Sequence, residues 1–145
     1  MIRSIAAVLA GLIVLTLTSF AIEWAVDPLL LRFFPRALPN ASALERNLYV
    51  ALFTSLYSAL CVVAGGYVTA WVARRWPVGH AVAMGVTELG LTIWALKAVV
   101  VHAPLRNWIM GAVTVVPAAW CGGLLRAKQA SRRGASQAPA GGAVA

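Results

Sequence analysis

The chain has 145 residues, of which 61% are hydrophobic and only 11% charged, with a mean hydropathy of +0.83 and a net charge of +8. A water-soluble domain carries about 25% charged residues, and so short a chain cannot bury this much apolar surface in one aqueous core. A soluble globule is therefore excluded. The basic residues sit at the ends of apolar runs, which argues against a nucleic-acid footprint.

Residues 4–22, 47–73 and 107–125 contain no Asp, Glu, Lys or Arg, and 81–102 contains only Glu88 and Lys97. About 20 apolar residues carry a helix across a hydrocarbon layer of ~30 Å. The expected fold is all-α: a polytopic membrane protein, an antiparallel bundle of four transmembrane helices with a short interfacial segment in the first loop. The lipid bilayer is its first partner.

The first helix is expected over about 5–26, ending at Asp27-Pro28, because proline lacks the amide that continues a helix. Residues 1–21 also fit a signal peptide, with Arg3, an apolar stretch and a small-x-small site at Ser19-Phe20-Ala21. The apolar run continues past that site and suits a retained anchor better. In the loop that follows, Leu29-Leu30-Leu31 and Phe33-Phe34 alternate with Arg32 and Arg36, a mixture suited to the headgroup boundary. Ser42 and Glu45 have capping-box spacing, so the second helix is expected over 43–73, stopping at Arg74-Arg75-Trp76-Pro77. The third is expected over 80–102 and the fourth over 105–126. Their short connections force neighbours antiparallel. Residues 129–145 lack large apolar side chains and read as a disordered basic tail.

With four crossings, one side carries seven basic residues (Arg3, Arg74, Arg75, Arg126, Lys128, Arg132 and Arg133) and the other four (Arg32, Arg36, Arg46 and Arg106). Cytoplasmic segments near helix ends accumulate Lys and Arg, so both termini are expected in the cytoplasm. Trp24 and Trp108 fall near one boundary and Trp71 and Trp76 near the other, whereas Trp94 and Trp120 sit deeper and read as packing residues. Cys61 and Cys121 lie at different depths and read as unpaired, buried thiols.

Small residues four apart recur: Ala7 and Gly11, Gly66 and Ala70, Ala81 and Gly85, Ala118 and Gly122, Ala119 and Gly123. In lipid, such surfaces let backbones approach closely. They serve the bundle itself, another membrane helix or a second copy of the chain. AGGYVTAWVARR and PAAWCGGLLRAK, at the ends of the second and fourth helices, share a pattern that hints at a duplicated hairpin.

Glu88 is the first candidate for chemistry. It lies about 10 Å into its helix, where a charge is costly and acidic residues usually face a bundle interior or wet cavity. Tyr67 lies at similar depth. Pro117 leaves the carbonyl of Val113 without its usual amide. A site built from Glu88, Tyr67 and Pro117 competes with a purely structural hydrogen bond between helices. Lys97 falls on the opposite face of the helix from Glu88, and a Glu23–Lys97 pair near the far end is expected instead. His80 and His102 are about 33 Å apart. No metal, nucleotide or nucleophile motif is present, so no cofactor and no enzyme chemistry are expected.

At AGGYVTAWVARRW, PLRNW and PAAWCGGLL the chain resembles a loose group of small bacterial four-span membrane proteins. The likeness covers about 64–125. It implies a bacterial inner membrane and carries no functional residue. Small multidrug exporters are a poor match, because their essential glutamate lies within the first helix, whereas Glu23 stands near its end. The sequence reads as a non-enzymatic accessory or subunit-type protein, with a proton-linked transporter using Glu88 as the alternative.

Overall fold

The structure, a computed structural model, describes residues 2–36, 38–73, 75–98 and 105–136. Among these it is all-helical: α1 Ile2–Phe33, α2 Ala41–Arg46, α3 Leu48–Ala73, α4 Pro77–Ala98 and α5 Leu105–Ser136. Within α1, α3, α4 and α5, the segments Arg3–Phe33, Leu48–Ala73, Pro77–Ala95 and Leu105–Arg133 are long and apolar enough to cross a membrane. The protein is a four-helix bundle of the multi-pass type. The basal end is the one that holds Arg3 and the α3–α4 turn; the distal end holds α2 and the start of α5.

Several boundaries differ from expectation for identifiable reasons. α1 does not stop at Asp27-Pro28 but continues to Phe33 with Pro28 inside it. Leu29, Leu30 and Leu31 are good helix formers, and membrane helices tolerate proline when neighbours re-satisfy the freed carbonyl. The expected helix over 43–73 is two helices. Asn40, not Ser42, caps α2, its Oδ1 accepting from the Ala43 amide at 2.9 Å. Asn47 then ends α2 in an extended conformation and starts α3, its Oδ1 accepting from the amides of Tyr49 (2.9 Å) and Val50 (3.3 Å). An Asn side chain competes well for free amides at helix starts, and here it does so twice within eight residues. The Ser42 and Glu45 side chains lie outside the described ones.

α4 begins at Pro77 rather than His80. Proline costs nothing in a first turn, where its missing amide would be unused. Residues 99–104, the expected end of this helix, lie outside the described residues. The tail expected to be disordered from 129 is helical to Ser136. Arg126-Ala127-Lys128-Gln129-Ala130 are strong helix formers, so the helix outlives its apolar stretch. Residues 137–145 lie outside the described ones.

The helices pack in the order α1, α3, α5, α4, with α3 also touching α4 across the bundle and the α1–α4 seam the least packed. α3 and α5 run parallel and make the largest contact. Glycine decides how. A Cβ on Gly65 would lie 2.8 Å from the Gly11 carbonyl oxygen of α1, and one on Gly66 would lie 2.6 Å from the Ala119 carbonyl oxygen of α5. Adjacent residues point about 100° apart on a helix, so the Gly65-Gly66 pair admits two neighbours at one level. Gly123 on α5 does the same for α4, where a Cβ would meet that of Ala81 at 2.8 Å. Thr69 is fully buried beside Gly11 and satisfies its hydroxyl on the Gly65 carbonyl at 2.9 Å.

The core follows that level: Leu15, Cys61, Val62, Met84, Val115, Ala118 and Ala119 are buried together. Trp94 and Trp120, expected to pack inside, face outward at 67% and 48% exposure. Lipid solvates an aromatic ring as well as a core does, while small residues take the interior because they allow backbone approach. Cys121, expected to be buried, is exposed, and Cys61 is buried; both are free thiols. In the first loop Leu38 and Leu44 are buried while Phe33 and Phe34 are exposed.

Candidate functional site

Close packing ends above the glycine level. Towards the distal end all four spanning helices line a half-open hollow of ≈ 510 Å³. α1 contributes Thr16, Ser19, Phe20 and Glu23, α3 contributes Thr54 and Ser58, α4 contributes Glu88 and Thr92, and α5 contributes Asn107, Trp108 and Gly111. A smaller hollow of ≈ 220 Å³ shares Glu23, Thr54, Ser58, Asn107 and Gly111 with it and adds Asp27 and Tyr57. The two adjoin, and apolar side chains such as Leu15, Val62, Val115, Val50 and Ala51 line them together with these polar ones.

Helical spacing explains the assembly. Thr16, Ser19, Glu23 and Asp27 follow one another at three or four residues, as do Thr54 and Ser58, Glu88 and Thr92, and Asn107 and Gly111. Residues so spaced share a helix face. Each spanning helix thus turns a polar stripe inward over its distal half. Gly111 has nothing within 4 Å of where a Cβ would stand, so this face of α5 borders open space.

Glu23, Asp27 and Glu88 are three of the chain's four acidic residues, and all three line this interior. Among the described residues no Lys, Arg or His lines either hollow. Glu23 stands near Asp27 and the phenol of Tyr57. Tyr57 in turn is edge-on to Phe53, ring centroids 5.7 Å apart. The indole Nε1 of Trp108 is buried without an acceptor among the described residues. Carboxyl groups in such a place require a proton or a compensating cation. Among the described residues, no three His, Cys, Asp or Glu side chains converge as a metal ion requires. The acidic groups therefore share a cavity without forming a metal cage.

The residues singled out from the sequence separate. Glu88 and Glu23 come to the same hollow from opposite sides of the open seam. Tyr67 does not join them: its hydroxyl donates to Gln129 Oε1 at 2.6 Å, tying α3 to α5 near the basal end. Pro117 is exposed on the outer surface of α5. The Lys97 side chain, the expected partner of Glu23, lies outside the described ones. Asp27, Tyr57, Thr54, Ser58, Thr92 and Asn107 were not singled out. The signal that marks them is polar residues three or four apart on otherwise apolar helices.

Comparison with protein families, with curated proteins and with solved structures finds no match for this chain.

Proposed function

We propose that this protein is a small carrier of the bacterial inner membrane, with both termini cytoplasmic, which takes a proton or a small organic cation into its distal polar interior. One observation carries the reading: three of four acidic side chains line two adjoining hollows within the spanning helices, which share Glu23, with no basic side chain among the described residues that line them. Glu88 and Asp27 are half-buried and Glu23 is exposed on the bundle; carboxyl groups within a spanning segment are costly in lipid, and the usual return is an ion or proton path. The hydroxyls of Ser19, Ser58 and Thr92 offer an organic cation oxygen acceptors. Seven basic residues at the basal end against four at the distal end support the orientation, which opens the hollow towards the outer leaflet.

The test is proton movement in proteoliposomes carrying an entrapped pH dye, driven by gradients of monovalent organic amines. Amine-dependent proton flux is expected with the native protein. Glu23→Gln and Glu88→Gln should each fold and lose it. Full flux in both variants removes the carboxyl groups from the mechanism, and no flux with the native protein ends the carrier reading.

The accessory role is a second reading, favoured by the outward face of α4. Ala83, Thr87 and Gly90 are exposed there, and nothing lies within 4 Å of where a Cβ on Gly90 would stand. A membrane partner that co-purifies at fixed stoichiometry, and is lost with Gly90→Leu, would establish it.

A further inference from the structure

A second cavity lies on the outside of the bundle, at its distal boundary. Leu30, Phe34 and Leu38 follow one another at four-residue intervals. The bonds Phe34 N–H to Leu30 carbonyl (3.0 Å) and Leu38 N–H to Phe34 carbonyl (2.9 Å) hold them on one face. With Val50 and Phe53 of α3 they line a groove of ≈ 320 Å³ whose polar end is formed by Asn47 and Tyr49. A further hollow, lined by Arg46, Asn40 and Ala43, shares Asn47 with it. Polarity therefore changes along the groove: Phe53 lies about 8 Å down α3 from its start, and Arg46 lies at the surface. The Arg106 guanidinium donates to the backbone carbonyl of Arg46, which brings a second basic residue to the end of α2.

We propose that this groove binds an anionic phospholipid, its acyl chain against Leu30, Phe34 and Phe53 and its phosphate at Arg46. An apolar groove that adjoins a hollow lined by Arg46, with Arg106 held at the same helix end, matches the order of parts in such a lipid. Guanidinium groups pair with phosphate through planar, two-pronged hydrogen bonding. A zwitterionic lipid fills the apolar groove equally well but brings its own cation to the same place. Soluble phosphate brings the anion without the chain. The site is separate from the acidic interior and stands whether or not that interior carries cations.

The experiment places the protein in nanodiscs of equal parts phosphatidylglycerol and phosphatidylcholine, re-extracts it in mild detergent and weighs the retained lipid by native mass spectrometry. Retention of phosphatidylglycerol above the supplied ratio is expected. Arg46→Gln should lower that enrichment by roughly five-fold, the usual effect of one basic residue near a charged surface. Arg32→Gln makes the same change of charge two positions from Leu30, off the groove face, and should leave the enrichment intact. Leu30→Trp fills the groove and should reduce bound lipid of both kinds, with the monodisperse helical protein checked by circular dichroism. Equal retention of the two lipids overturns the proposal, as does an equal effect of Arg32→Gln and Arg46→Gln. So does displacement of the lipid by soluble glycerol phosphate.

Discussion

Replacing Gly66 by alanine tests the packing most sharply. The added methyl carbon would lie 2.6 Å from the Ala119 carbonyl oxygen, 3.1 Å from its Cα and 3.2 Å from its carbonyl carbon. All three are backbone atoms, so no rotamer change relieves them. Restoring ordinary contact requires α3 and α5 to part by about 1 Å, and a gap of 0.5–1 Å forfeits roughly a quarter to a half of each dispersion contact along the seam. Overpacking of this kind costs about 1–3 kcal/mol. Gly90→Ala is the matched control: nothing lies within 4 Å of its Cβ position, and alanine gains up to ~1 kcal/mol of helix propensity. Reversible unfolding in mixed micelles on titration with dodecyl sulfate, followed by far-ultraviolet circular dichroism, measures both. Gly66→Ala should shift the midpoint down and Gly90→Ala should hold it or raise it. If Gly66→Ala is as stable as the native protein, or both variants lose equally, the glycine-level account of the bundle is wrong.

Tyr67→Phe removes the 2.6 Å bond to Gln129 and should cost about 1 kcal/mol. A double-mutant cycle with Gln129→Ala should recover a coupling of that size, and zero coupling would show the pair to be idle. Asn47→Ala strips the cap from the Tyr49 and Val50 amides and should cost about 1 kcal/mol. Faster hydrogen exchange at those two amides, with the rest of α3 unchanged, locates the effect.

The four spanning helices were legible because apolar length alone decides them, and Glu88 was legible because a carboxyl group among apolar residues is conspicuous. What failed was angular position. Counting residues from helix ends put Tyr67 and Glu88 at similar depth, but Gly66 and Gly85 both abut Ala119, so Tyr67 falls on the basal side of that level and Glu88 on the distal side, and their azimuths depend on which helix stands where. Packing order also decided Trp94 and Trp120, which the deeper membrane readily accepts on the outside. The helix ends turned on local competition. Asn40 won the cap position that Ser42 was expected to fill, and Leu29 to Leu31 carried α1 past Pro28. The polar residues Thr54, Ser58 and Thr92 were present at readable spacing, but a hydroxyl on a membrane helix often bonds its own preceding carbonyl and faces outward, as that of Thr87 does at 2.8 Å. Only the assembled bundle distinguishes the two fates.

Because the tightest approaches gather at the level of Gly66 and Ala119, that level is a fulcrum. From Ala119 to Asn107 α5 is a lever arm of about 18 Å, packed through Val115 in its first turn and beside open space at Gly111. A swing of ~5° at the pivot displaces the far arm by roughly 1.5 Å. Such a lever needs no hinge within any helix.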